Sequence, residues 1–150
     1  MTAQDIDRSA PVIVRDAIHV DAPLADVWTL HTDINNWTAW RADVTVARLD
    51  GPFVTGALFH WETGGLSINS RIHAVEPQRR TLWGGPAAGI EGMHMWTFTR
   101  DGGGTRVVTE ESWAGPVVIA DSDRARAMLT ASIRIWLEGL AATAVRSQRS

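Results

Sequence analysis

His94 and Glu111 are the residues whose types and spacing best suit proton chemistry. They lie in two runs, 91–100 and 105–114, that flank the turn signal Gly102-Gly103-Gly104. A hairpin closed with Arg100 opposite Thr105 sets His94 directly across from Glu111, with Cβ atoms about 4.5–5.5 Å apart. A carboxylate beside an imidazole favours the charged pair and can position a proton donor. In that arrangement His94 is the general acid/base, and Glu111 orients and charge-balances it. The same pairing is also ordinary sheet chemistry. The register sets Phe98 opposite Val107, Trp96 opposite Thr109 and Gly92 opposite Trp113, all on the His94 face, which is expected to be concave.

A second hairpin supplies more candidate wall. Gly64-Gly65 suits a two-residue turn with positive φ at both positions. Trp61 then faces Ile68, Phe59 faces Ser70 and Ala57 faces Ile72. This set is more apolar than Leu58/Arg71, His60/Asn69 and Glu62/Ser67, so it should point inward and turn Arg71 outward. The chain has eight Trp, three Phe and no Tyr. Rigid, amphipathic indoles suit a cavity wall or a Trp-rich core, and composition does not choose between them.

Other chemistries find no support. There is no Cys, hence no disulfide, thiolate metal site or Cys nucleophile. The five His are dispersed without HExxH spacing, so no metal is expected, and no cofactor. No G-x-S-x-G elbow occurs, and Gly102–Gly104 lacks the Lys of a phosphate loop. Net charge is −3 without a basic run, which argues against nucleic acid. No run of eighteen apolar residues occurs, so no stable membrane insertion is expected. Residues 1–10 are polar without a signal-peptide core and should be flexible, and a cytoplasmic location is expected. The oligomeric state is open.

The elements that must position these residues follow from the periodicity. After Pro11, VIVRDAIHV reads as a strand. Pro23 suits a helix start, and Leu24, Val27, Trp28 and His31 follow at helical spacing. Asn35-Asn36 interrupts, and Trp37 and Trp40 fall in the irregular or helical stretch beyond. Runs at 43–49, 56–63, 66–75, 80–84, 91–100 and 105–114, separated by Gly- and Pro-rich turns, imply an antiparallel meander. From Asp121 to about Arg146, Leu129, Ile133, Trp136 and Leu140 recur at helical spacing, with Met128 and Ser132 beside the stripe as core or ligand contacts. Asp121 and Ser122 are candidate caps. The expectation is one α+β domain over 11–147: a curved antiparallel sheet closed by a long C-terminal helix. One helix cannot fill the concavity of seven strands, so a pocket should remain. Gly84–Gly89, rich in small residues, suggests a gate or a plain loop.

The segments IHVDAPLADVW (18–28), TDINNWTAW (32–40), IHAVEPQRRTLWGG (72–85), HMWTFTRDGGGTRVVTEESWAG (94–115) and WLEGL (136–140) together resemble the START-like (SRPBCC) superfamily, in particular its polyketide cyclase/dehydrase branch. The resemblance implies a helix-grip fold, with a seven-stranded sheet around a long C-terminal helix and two short helices after the first strand. It also implies that Trp28, Arg71 and Trp96 line a pocket. Pocket tyrosines of such cyclases have no counterpart here, and Phe98 stands where one would fit. Members bind lipids, sterols, hormones or polyketides, and some catalyse ring closure and dehydration. Three readings stand. The first is binding of a hydrophobic or aromatic, lipid- or polyketide-like molecule against Trp28, Trp40, Phe59, Trp61, Trp96, Phe98, Trp113, Met128, Ser132 and Trp136, oriented by Ser70, Arg71, His94, Thr109 and Glu111. The second is a cyclase/dehydratase-type lyase using His94 and Glu111. The third is a non-catalytic stress or partner-binding domain whose cavity is filled by its own side chains.

Overall fold

The computed structural model describes residues 3–149. Strand β1 (Val12–Val20) leads to helix α1 (Leu24–Thr32), a 3-10 turn (Ile34–Asn36) and the single turn α2 (Trp37–Trp40). Then come β2 (Val44–Leu49), β3 (Leu58–Thr63), β4 (Leu66–Glu76), β5 (Arg80–Ala87), β6 (Ile90–Asp101) and β7 (Gly104–Ala114). Helices α3 (Pro116–Ala120) and α4 (Ser122–Ser147) complete the chain. The strands form one antiparallel sheet in the order β1-β7-β6-β5-β4-β3-β2. Each meander hairpin joins sequence neighbours, and β1 closes on β7 because its partly apolar face needs the same cover.

Both expected hairpin registers are present: Trp61 pairs with Ile68 and His94 with Glu111. Gly64 and Gly65 have φ of 55° and 79°, the left-handed pair that a two-residue turn requires. Inward-facing alternation then collects Phe59, Trp61, Ile68, Ile72, Trp83, Trp96, Phe98 and Val107 in one core with α4. A bulge between Ile72 and Ala74 reverses the alternation, so Ala74 joins Leu82 on the convex side.

Helix α4 begins at Asp121, whose Oδ1 accepts from the Arg124 N–H at 3.1 Å. Leu129, Ile133, Trp136, Leu137 and Leu140 are its buried stripe. Arg134 reaches Asp16 at 3.0 Å and Arg126 donates to the Ile13 carbonyl at 3.1 Å, so the helix also covers the β1 edge. By length and composition alone α4 is apolar enough to cross a membrane; here that apolar stripe faces the sheet. Gly139 makes room for Trp40, whose Cε3 would lie 3.3 Å from an added Cβ.

Three features depart from expectation. Residues 3–10, expected to be flexible, lie on the convex face: Ile6 is buried against Ala74 and Leu82, and the Asp7 N–H donates to Ser112 Oγ at 2.9 Å. Met1 and Thr2 fall outside the described residues. Helix α3 was not foreseen. Finally, Gly84-Gly85-Pro86 is not a turn. Strand β5 continues to Ala87, and the reversal falls at Ala88 and Gly89, with φ of 49° and 82°. The paired glycines serve close approach instead. A Cβ on Gly84 would sit 2.1 Å from the Gly92 carbonyl oxygen, and one on Gly85 2.7 Å from that of Asn69. The β4–β5 ladder ends at Arg71–Gly84, beyond which β5 keeps only β6. Pro86 is tolerated there because one side of the strand has no partner to serve.

Candidate functional site

Much of the concavity is filled by rings. Trp37 stands at the centre, 4.9 Å from the Trp136 ring, 5.6 Å from Phe59 and Trp83, and 6.1 Å from Trp61. Edge-on contacts of this kind add to the burial energy of each ring. Such packing leaves the indole N–H groups of Trp40, Trp83 and Trp96 and the Arg41 Nη1 buried without hydrogen-bond partners. Each unmet donor costs about 1–3 kcal/mol, which the ring contacts must offset.

The rings stop short of the far end. A cavity of about 290 Å³ remains, floored by Trp61, Ile68, Ser70, Trp83, His94, Glu111 and Trp113. Gly64 and Leu66 of one hairpin, Ala87 and Ile90 of the next, and Met128, Ser132 and Trp136 of α4 border it. Exposed Leu66 and Met128 mark its mouth.

The candidates from sequence divide accordingly. Trp61, Ser70, His94, Glu111, Trp113, Met128, Ser132 and Trp136 are brought together around the cavity. Others are not. Trp40 packs on Trp136, and Phe59 on Trp37 and Trp83. Trp96 is fully buried between His31 and His94, and Phe98 lies between Trp28 and His31 at the opposite end. Trp28 is therefore remote from the cavity. Arg71 pairs with Leu58 on the convex face, as the hairpin register requires and against what the family motif implies. Thr109 is buried behind His94 rather than exposed to the cavity.

Sequence reasoning missed Trp83, Ile90 and Gly92 as wall residues, and read Gly84, Gly85 and Ala87 as a gate or plain loop where they form part of the wall. Two signals were available. Extending the inward alternation of β5 past Gly84 adds Gly85 and Ala87 to Trp83, and the β6–β7 register already set Gly92 beside Trp113.

The cavity has one polar corner. His94 Nδ1 lies 3.1 Å from Glu111 Oε1, and Nε2 lies 2.7 Å from Thr109 Oγ1. Thr109 donates its hydroxyl proton to the Met95 carbonyl at 2.9 Å, so it must accept from His94 Nε2–H. That places the His94 proton on Nε2. Glu111 Oε2 accepts from Trp113 Nε1–H at 2.9 Å. The Nδ1···Oε1 contact is a close approach without hydrogen-bond geometry. Its distance alone suits an ion pair, yet burial works against both charges. Burial first pushes Glu111 up to about 7, against the Trp113 hydrogen bond and the Arg41 charge. Burial also takes His94 well below the usual imidazole range, with His31 and Arg41 acting in the same direction. Burial thus disfavours the charged form of each group. Both side chains line the cavity, His94 the more deeply buried of the two and engaged through Nε2.

Two further buried groups lie outside the cavity lining but act on His94. His31 is buried, held 2.8 Å from Thr81 Oγ1, and pushed down to about 3 by burial. Arg41, 3 % exposed, stacks 3.8 Å over the Trp136 ring. Its guanidinium is gripped by the Asp43 carboxylate through Nε, at 2.7 Å, and Nη2. No cluster of His, Asp or Glu among the described residues could hold a metal ion.

Residues 11–145 match the family model described as polyketide cyclase / dehydrase and lipid transport. The chain belongs to that family. Among solved structures, a START superfamily protein from Mycobacterium smegmatis superposes with a TM-score of 0.78 at 7 % identity, over 89 % of this chain and 97 % of the other. A putative protein of the dynemicin biosynthetic locus, DynU16, is 28 % identical with a TM-score of 0.68, over 86 % of this chain and 45 % of its own. The di-domain ARO/CYC protein StfQ of the steffimycin pathway is 16 % identical with a TM-score of 0.76, over 93 % of this chain and 52 % of its own. This family member thus spans about half of each of the last two. A search of curated sequences finds no match.

Proposed function

We propose that this family member binds a hydrophobic or aromatic small molecule in the cavity between its two hairpins and α4. The observation that carries the reading is the space itself: about 290 Å³ left among indole and aliphatic walls, with a single polar corner. Ligand sites have this character, mostly apolar with a few convergent polar groups, and this one is at the small end of their range. Burying roughly 250 Å² of apolar ligand surface contributes about 6 kcal/mol before the costs of association. Affinity in the micromolar range is within reach when packing is close. The family description and the two biosynthetic relatives support a ring-bearing occupant.

Titration with naphthalene, followed by Trp fluorescence and calorimetry, tests the reading. Saturable binding is expected, and Ile68→Phe, which fills the cavity from β4, should abolish it. No heat and no quenching in the native protein, or unchanged binding in the filled variant, would refute it.

Catalysis is a second reading, favoured by one observation: a carboxyl held near 7 at the cavity wall, backed by an oriented imidazole. That is the protonic range in which a general acid/base works best at neutral pH. In a cyclase/dehydratase-type reaction Glu111 would donate or accept the proton and His94 would position it. Turnover of a poly-β-keto thioester mimic that is lost in Glu111→Gln but retained as binding would support it; binding without product in the native protein would count against it.

A further inference from the structure

Resting on the binding reading above, we propose that the occupant is an uncharged one- or two-ring molecule whose hydroxyl donates to Glu111 Oε2, and that anionic lipids are shut out. Size sets the first limit. A cavity of about 150 Å³ accommodates one benzene ring, and this one is about 290 Å³. Two fused rings fit, whereas a four-ring skeleton or a full acyl chain does not.

Donor and acceptor accounting sets the second. Glu111 Oε2 takes one hydrogen bond, from Trp113, and a carboxyl oxygen can accept two. The approach to it is open because residue 92 is glycine: a Cβ there would lie 3.7 Å from Oε2, 3.6 Å from Trp113 Nε1 and 3.5 Å from Trp113 Cδ1. Because Trp113 Nε1–H donates to Oε2, a proton on the neutral carboxyl sits on Oε1, and the second Oε2 lone pair is available in both protonation states. The corner therefore asks for a donor. An O–H on an aromatic ring supplies one while its ring stays among the indoles.

Charge sets the third. No Arg or Lys lines the cavity among the described residues. The nearest buried cation, Arg41, does not line the cavity: it stacks on Trp136 and gives Nε and Nη2 to Asp43, with only Nη1 unpartnered. A carboxylate or phosphate entering the cavity would meet Glu111 without a counter-charge, and an unpaired buried charge is strongly disfavoured.

Calorimetric titration with four probes tests this: naphthalene, 2-naphthol, 2-naphthoate and palmitate. 2-Naphthol should bind about tenfold more tightly than naphthalene, the value of one added hydrogen bond, and 2-naphthoate and palmitate more weakly than naphthalene. In Gly92→Ala the added methyl covers Oε2, so the two neutral probes should bind equally; Glu111→Leu should do the same if the first variant is unstable. Equal binding of naphthalene and 2-naphthol by the native protein overturns the hydroxyl assignment, and tight 2-naphthoate or palmitate binding overturns the charge argument. Both results leave the cavity reading standing. Failure of all four probes overturns both proposals.

Discussion

Replacing Glu111 by Gln removes one proton from the folded protein's titration while keeping the shape of the side chain. The Gln amide is neutral, as the protonated acid is, and can still accept from Trp113 Nε1–H. In the native protein burial raises this carboxyl from about 4.5 to about 7. For a group raised in the folded state, the stabilising contribution is full below the unfolded value and is lost as pH climbs through the folded one. Between pH 5.5 and 8.5 the native protein should therefore lose about 2 kcal/mol relative to the variant. His31 and His94 titrate in the unfolded chains of both proteins, so their contributions largely cancel in the difference. Urea unfolding of the two proteins at a series of pH values measures it. Two profiles that run parallel within about 0.5 kcal/mol would show that burial does not raise this carboxyl in the folded protein. Nitrogen shifts of His94 then report where the proton resides: an unprotonated Nδ1 is expected throughout, and a doubly protonated ring would assign it to the imidazole.

Acid should destabilise the fold through His31. Its pKa is depressed to about 3, so its contribution is present above pH 6.5 and is lost as pH falls; His31→Phe should flatten the acid side of the urea profile by about 1.4 kcal/mol per pH unit between pH 6 and 4. Gly85→Ala should cost about 1–3 kcal/mol, because its Cβ would meet the Asn69 carbonyl oxygen at 2.7 Å. Gly92→Ala, meeting nothing nearer than 3.5 Å, should stay within about 0.5 kcal/mol in the same unfolding assay. Trp136→Ala should cost about 3–5 kcal/mol in chemical denaturation, since its ring joins the indole cluster to α4 and carries Arg41 on its face.

Local rules carried the reading a long way. Glycine pairs and strict alternation fixed both hairpins, and hence the His94–Glu111 contact, because a slipped strand exchanges every side chain's face. The failures come from features that no local pattern encodes. Gly84-Gly85 reads as a turn, and only the neighbouring carbonyl oxygens reveal why side chains are excluded. Trp37 belongs to a short irregular stretch, yet it plugs the middle of the concavity and confines the free space to one end. That displacement is why Trp28, Trp96 and Phe98 proved remote from the opening.

The early end of the β4–β5 ladder bears on how a guest gets in. Past Arg71 and Gly84 the two hairpin tips share no rungs, so they can spread like the ends of a clothes peg while the lower sheet holds its register. On the proposed binding reading, admission needs no unfolding and no displaced helix, and the rate of exchange should follow the stiffness of those two tips rather than the stability of the whole domain.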